Sequence, residues 1–453
     1  MSKMVIKLLL LLLFVSPGFG VAEEYEPLTM EVPQGNLTLQ EAWRQALRNS
    51  PGVAEAGARI DAAQALVDQA QSAWLPTLSV YAGYRLQNST MQPDWNPDLR
   101  ISDSLKVQST GMQANWLVFD GFSRKARIMA AKYQVEASQE GLIEARRLLV
   151  EAVSSAFFQA QLAAESMLIA RSNREFNQTL EMDADKRWQV GAIPEAEKLN
   201  FSVRALQAES DFLQAAQNFS VIGTVLAELL ALPDAQLPES MYPVINSGES
   251  LEQELPDYAE EIAYALENRT DIKIIKSSML ALQESVKAEK GSYLPSIVLN
   301  SGVKYEKMVD VGQVDQEEHD SYVDLNLSWD IYSGGLRSAK VRKLERELAR
   351  LRHELEQKIL SVQSEIGQAY ERAKATTLMY ERQRRALIMT ARIRDHIKKS
   401  YRAGVATLTR LNEAQTDLVR VTGATVASRI NFQIAMQKLH TASGRILVDI
   451  DQP

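Results

Sequence analysis

The chain of 453 residues contains no cysteine. That absence removes disulfides, thiolate metal sites and an acylated N-terminal cysteine. Histidine occurs only at His319, His353, His396 and His440, far apart in sequence. His353 and His396 fall in charged helical stretches, which read as solvated surface rather than as metal ligands. Asp183 and Asp185 stand two apart in another helical stretch, a spacing at which side chains do not face each other. No Gly-x-x-x-x-Gly-Lys loop is present to cradle phosphate, and no local motif marks a Ser/His/Asp or Cys/His constellation. A basic excess is missing too. The formal net charge is −8, which argues against general nucleic-acid binding. No catalytic group, cofactor or metal is expected.

Long hydrophobic runs are also lacking. The longest is Leu8 to Val15, preceded by Lys3 and Lys7 and followed by Ser16-Pro17-Gly18, Gly20 and Ala22. This order of basic, apolar and small residues is that of a secretory signal peptide, and it falls short of the ~20 residues a membrane helix needs. Residues 1–22 therefore read as a cleaved leader. With no cysteine to acylate, any membrane attachment must come from the fold itself.

Proline and glycine are scarce in two stretches. Residues 122–188 hold only Gly141 and residues 336–401 only Gly367, with no proline in either. Each predicts a helix about 100 Å long at 1.5 Å per residue. Leu344, Leu348, Leu351, Leu355, Ile359, Val362, Ile366, Ala369 and Ala373 step by three and four, as do Leu142, Ala145, Leu149, Ala152 and Ala156. Stripes of this kind require partner helices. Returning arms are expected at about 195–232 and 406–445, with shorter helices at 37–49, 52–74, 257–268 and 271–293.

Four segments alternate apolar and polar residues with period two, as strands with one dry face do. Leu78, Val80, Ala82 and Tyr84 share a face of the first, and Met112, Ala114, Trp116 and Val118 of the second. Ile297, Leu299, Val303 and Tyr305 do so in the third, and Val323, Leu325, Leu327, Trp329 and Ile331 in the fourth. Polar loops with Pro93-Asp94, Asn96-Pro97-Asp98, Gly312 and Asp315 suit hairpin tips. The dry, aromatic-bearing face is the pattern of a transmembrane β-barrel, with Trp116 and Trp329 facing lipid.

The chain repeats itself. Trp74-Leu75-Pro76 returns as Tyr293-Leu294-Pro295, 219 residues on. Trp116 to Gly121 returns as Trp329 to Gly334, and Trp188-Gln189-Val190-Gly191 as Tyr401-Arg402-Ala403-Gly404, both 213 residues on. The period is too long for a solenoid and reads as a duplicated half-molecule. The expected organisation is a leader at 1–22, a first repeat at 23–232, a linker at 233–256 and a second repeat at 257–453. The first repeat has its strand pair at about 77–119 and its helical hairpin at 122–232. The second has its strand pair at about 296–332 and its hairpin at 336–445. The linker carries Pro233, Pro238, Pro243, Asn246-Ser247-Gly248 and Pro256. Four strands cannot close a barrel, for which about eight is the practical minimum, and open edges are not tolerated in lipid. Either the chain oligomerises or the barrel reading fails.

These landmarks resemble the TolC family of outer-membrane efflux and secretion ducts. They are the strand entries at Pro76 and Pro295, the strand exits at Gly121 and Gly334, and the helix turns at Gly191 and Gly404. The resemblance implies a homotrimer, with a twelve-stranded β-barrel in outer-membrane lipid continued by a periplasmic α-helical barrel. It implies partners: a periplasmic adaptor protein and an inner-membrane ABC or RND transporter. It implies no catalytic step. In the family's gate pattern, Asp stands six and nine residues after the second turn glycine; here those places hold Arg410 and Glu413. An Arg often found two after that glycine is Ala406. The Tyr three before it is present as Tyr401, and Glu197, six after the first turn glycine, is the carboxylate it would bond. A Tyr401–Glu197 latch is expected; Arg410 and Glu413 read either as a gating ring with its counter-charge or as a solvated helix face.

A passive export duct is the leading expectation, serving type I protein secretion first and RND-type multidrug efflux second. A periplasmic coiled-coil adaptor without a pore ranks below both. An exported enzyme has no positive feature behind it.

Overall fold

The computed structural model describes residues 37–91, 95, 101–232, 235–238, 255–310 and 316–446. The leader, the hairpin-tip residues Pro93-Asp94, Asn96-Pro97-Asp98, Gly312 and Asp315, and the linker residues Pro233, Pro243 and Asn246-Ser247-Gly248 lie outside them.

The elements run α1 (Leu39–Asn49), α2 (Pro51–Ser72), β1 (Thr77–Met91), β2 (Ile101–Phe119), α3 (Ser123–Gln189) and α4 (Glu195–Leu229) in the first half. The second half repeats the order as α5 (Tyr258–Asn268), α6 (Thr270–Gly291), β3 (Ser296–Asp310), β4 (Gln316–Ser328), α7 (Leu336–Arg402) and α8 (Leu408–Ser443). Local chemistry explains the shorter starts. Thr38 and Glu41 form a reciprocal capping box on α1, Ser50 caps α2 with Pro51 in its first turn, and Asp257 accepts from Ala259 and Glu260 on α5. The helices α3 and α7 are 67 residues each, about 100 Å long.

The four strands form one antiparallel sheet in the order β1-β2-β3-β4. Its register aligns the dry face across the sheet: Leu78 pairs with Ala114, Ala114 with Ser301 and Ser301 with Val323. One row over, Val80, Met112 and Val303 line up. On the other face Asn300 donates to Asp324 at 2.8 Å. Among the described residues no other element covers the apolar face: Val323, Leu325 and Leu327 are all more than 60% exposed. β4 ends at Ser328, short of the expected 332. Trp329 follows the strand, and Arg337 takes the carbonyl of Asp330 away from the ladder.

The helices keep the strand order. α2, α3, α6 and α7 pack side by side below the sheet, and α4, α3, α8 and α7 do so in the lower half. One long edge of the chain is thus β1, α2 and α4, and the other is β4 and α7. The widest part holds two cores. Trp43, Val150, Val153, Phe157, Leu226 and Ile430 belong to one; Ile272, Val362, Ile366, Phe432 and Leu439 belong to the other. The expected α7 stripe is buried at Val362, Ile366, Ala369 and Ala373. On α3 the expected stripe is buried at Ala156 and half-buried at Leu142, Ala145, Leu149 and Ala152, and Val150, Val153 and Phe157 beside it are buried as well. Docking of α1 through Trp43 widens the buried face there, and its indole donates to Ser154 at 2.8 Å.

Candidate functional site

The far tip joins α3 to α4 and α7 to α8. Both turns pass through glycine with positive φ, +74° at Gly191 and +76° at Gly404, a conformation that costs a side-chain-bearing residue about 1–2 kcal/mol. Above the turns, Leu180 and Ala184 of α3, Phe201 of α4 and Leu408 and Leu411 of α8 form an apolar clasp. Ile397 and Tyr401 of α7 pack onto it.

Tyr401 donates its hydroxyl to Asp183 Oδ2 at 2.9 Å, not to Glu197. The latch expected from the resemblance therefore changes partner. Asp183 lies on α3 between Leu180 and Ala184 of the clasp, while Glu197 lies in the first turn of α4, where its backbone N–H bonds Pro194 O at 3.1 Å. The Arg187 guanidinium stacks 5.0 Å over the Tyr401 ring and lies 3.8 Å from Asp183. Burial and the Asp183 carboxylate together push the Tyr401 phenol up to about 12. Asp185 turns to the other hairpin arm, 2.7 Å from Lys198. Arg410 and Glu413 form an exposed pair within α8 at 3.0 Å, so the acid has a counter-charge on its own helix.

The strand–helix junctions hold a feature that sequence reasoning missed. Arg124 donates to Ala73 O at 2.9 Å and Val118 O at 3.0 Å, and stacks 4.3 Å over Trp74. Arg337 repeats this on Ser292 O at 3.1 Å and on Asp330 O, over Tyr293. Each guanidinium ties the end of a short helix to the end of a strand. The signal was available: Arg124 and Arg337 lie at the same repeat offset as the exit turns, 213 residues. Trp116 and Trp329 complete each junction by donating to Trp74 O at 2.9 Å and Tyr293 O at 3.1 Å. At the exit Gly121, with φ +66°, a Cβ would meet Gly291 O at 2.2 Å, so no other residue fits.

Two more arginines close the C-terminal end of α8. Arg147 donates to Thr441 O at 3.3 Å and Arg269 to Ala442 O at 2.9 Å. Arg269 also binds Asp271 at 2.6 Å and Glu365 at 2.7 Å, and Arg147 binds Glu144 at 2.7 Å. Burial works to raise the Glu144 and Asp271 carboxyls, but hydrogen bonds from Arg147 and Thr270 and from Arg269 outweigh it and hold both below the usual range. This ties α3, α6, α7 and α8 together at the widest level.

The outer membrane efflux protein family matches this chain in two blocks, residues 42–231 and 262–445, one per half. The chain belongs to that family. Outer membrane efflux protein BepC of Brucella suis is 25% identical over 336 residues, 74% of this chain and 71% of that protein. Protein CyaE of Bordetella pertussis is 22% identical over 426 residues, 92% and 87% of the two chains. Among solved structures, the Campylobacter jejuni CmeC outer membrane channel superposes with a TM-score of 0.77 at 17% identity, covering 90% of this chain and 86% of that one. The efflux family member described here is an outer-membrane transport channel and not an enzyme. Among the described residues no helix is long and apolar enough to cross a membrane.

Proposed function

We propose that three copies of this chain close into a duct that carries cargo from an inner-membrane transporter, through a periplasmic adaptor, across the outer membrane. The observation that carries this reading is the pair of open edges. β1 and β4 run in opposite directions, so β4 of one copy continues the antiparallel order onto β1 of the next. Three copies supply twelve strands, above the minimum for closure. The helix edges agree: α4 exposes Leu199, Val203, Leu206 and Leu213, and α7 exposes Met379, Met389 and Ile393. Such a heterologous contact makes a ring when the rotation closes. The apolar sheet face with Trp116 and Trp329 then meets lipid.

The tip is the gate in this reading. The apolar clasp and the Tyr401–Asp183 bond hold the two hairpins together, and opening separates them. Arg410 balances Glu413, and Glu197 lies on the first turn of α4 beside the entrance. Type I protein secretion is the favoured cargo class, because the chain has no cysteine to acylate, unlike the lipid-anchored drug-efflux branch of the resemblance. Multidrug efflux with an RND-type pump is the second reading, supported by the similarity to the outer membrane efflux protein BepC.

Detergent-extracted protein is expected to migrate as a heat-sensitive oligomer and to conduct in planar bilayers. A non-conducting monomer overturns the proposal. A deletion strain that loses a secreted protein but keeps its drug resistance supports secretion; the reverse supports efflux.

A further inference from the structure

The wall of helices changes charge where it meets the sheet. In the ten residues of each helix nearest the strands (63–72, 123–132, 282–291 and 336–345), Lys and Arg number ten and Asp and Glu four. In the next ten of each (53–62, 133–142, 272–281 and 346–355), the count is six against six. A chain of total charge −8 thus concentrates positive charge in a band about 15 Å tall. Most acids of the band are already engaged. Glu345 lies 2.9 Å from Lys290, Glu284 2.6 Å from Lys287 and Glu289 3.7 Å from Lys340, which leaves Asp68. Among the described residues, the exposed Lys125, Lys132 and Arg342 form no ion pair, nor does the exposed Arg346 just below them.

The short helices show which side of the wall these four bases occupy. Lys132 stands five helical turns above Val150, a residue of the core on which α1 docks, and Lys125 stands about two turns above Lys132. Arg342 stands about seven turns above Gly367, where a Cβ would meet Tyr258 Oη of α5 at 3.3 Å, and Arg346 follows Arg342 by about one turn. All four therefore lie on the side that carries α1 and α5. Arg127 and Lys340 lie about 140–160° round their helices, on the other side. In the proposed ring, twelve helices about 9 Å apart leave a bore of about 25 Å, which six short helices would block. The side with α1 and α5 is thus the outside of the duct. The level just above the four bases holds Trp74, Trp116, Tyr293 and Trp329, all exposed. Tryptophan and tyrosine collect where a membrane meets water.

We infer that Lys125, Lys132, Arg342 and Arg346 form a collar that binds the phosphates of anionic phospholipids in the leaflet facing the periplasm. This rests on the duct reading above. Two observations select lipid as the occupant. The collar continues the apolar, aromatic-edged outer face of the sheet, and the headgroup layer begins where the hydrocarbon ends. The bases also do not converge on one point: α6 stands between α3 and α7, so Lys132 and Arg342 cannot share a single soluble anion. A layer of headgroups serves both at once, and the long stems of Lys and Arg let the lower pair reach up toward it. Three copies place twelve such bases around the duct, which fixes the height of the barrel in the membrane.

The test uses full-length protein in lipid vesicles that contain a brominated phospholipid, whose bromines quench the nearby Trp74, Trp116 and Trp329. Brominated phosphatidylglycerol is expected to compete for the protein surface about tenfold better than brominated phosphatidylcholine at low salt, with the preference shrinking as salt rises. K125Q/K132Q/R342Q/R346Q should lose most of that preference. R384Q/R385Q, exposed on α7 far below the sheet, should keep it. Bilayer conductance should be the same in all three proteins. Equal quenching by the two lipids, or an undiminished preference in the quadruple variant, overturns the inference. So does a preference abolished by inorganic phosphate but not by chloride at equal ionic strength, since the bases then hold a soluble anion. Absence of quenching by either lipid sinks the duct reading instead, because the sheet then does not lie in lipid.

Discussion

At the residue scale, the molecule depends on side chains that bridge elements rather than fill a core. Tyr401 is the clearest case at the tip. Replacing it with Phe keeps the ring on the clasp and removes the bond to Asp183, at a cost of about 1 kcal/mol. Basal bilayer conductance of Tyr401→Phe should rise roughly fivefold. The phenol is raised above its unfolded value of 10.0, so its contribution is fully present below pH 10 and is lost as pH rises through about 12. Alkaline titration of tyrosinate absorbance should show a late-ionising group that is missing in the Phe variant. Arg337 acts at the other end of the long helix. Arg337→Met keeps the aliphatic stem and leaves the Ser292 and Asp330 carbonyls without their donor, a loss of about 3 kcal/mol. The oligomer should dissociate at a lower temperature in detergent gels. The 213-residue repeat marked Arg337 without naming its acceptors, and Tyr401 was singled out with its acceptor on the wrong helix, because spacing from a turn does not say which arm faces which.

At the element scale, the long helices owe their length to the absence of breakers and their position to neighbours. Stripe periodicity located the buried side of α7 and only part of that of α3, where α1 adds a contact that no pattern within α3 encodes. The end of α8 is held from outside by Arg147 and Arg269. Arg269→Ala removes a guanidinium that is only 3% exposed and leaves Asp271 and Glu365 without their main counter-charge. A loss of about 3–5 kcal/mol is expected in thermal unfolding. Because the Glu144 and Asp271 carboxyls are depressed in the folded chain, their stabilisation is complete above the ordinary carboxylate range and disappears as pH falls below it. The wild type should therefore lose melting temperature on acidification from pH 5 to pH 3, taken as roughly the carboxylate range, and Arg269→Ala should lose less.

At the scale of the whole molecule, the two edges govern everything else. Leu206 of α4 lies about 16 Å from the start of its helix and Ile393 of α7 about 14 Å from its end, so they stand at nearly the same height above the tip. In this cysteine-free background, Leu206→Cys with Ile393→Cys should form disulfides between chains. A denaturing gel run without reductant is expected to show a ladder ending at three chains; bands confined to one chain would contradict the ring.

The sequence by itself determined the repeat, the element types, the apolar sheet face and the inability of one chain to close. Each of these follows from periodicity, breaker content and strand count, which are local or additive. Tertiary structure alone decided which carboxylate meets Tyr401, how Arg124 and Arg337 tie helices to strands, and which helix edges remain open. Those depend on the rotation of one long helix against another, and a rotation of a few tens of degrees exchanges one partner for another without altering the pattern that builds the helix.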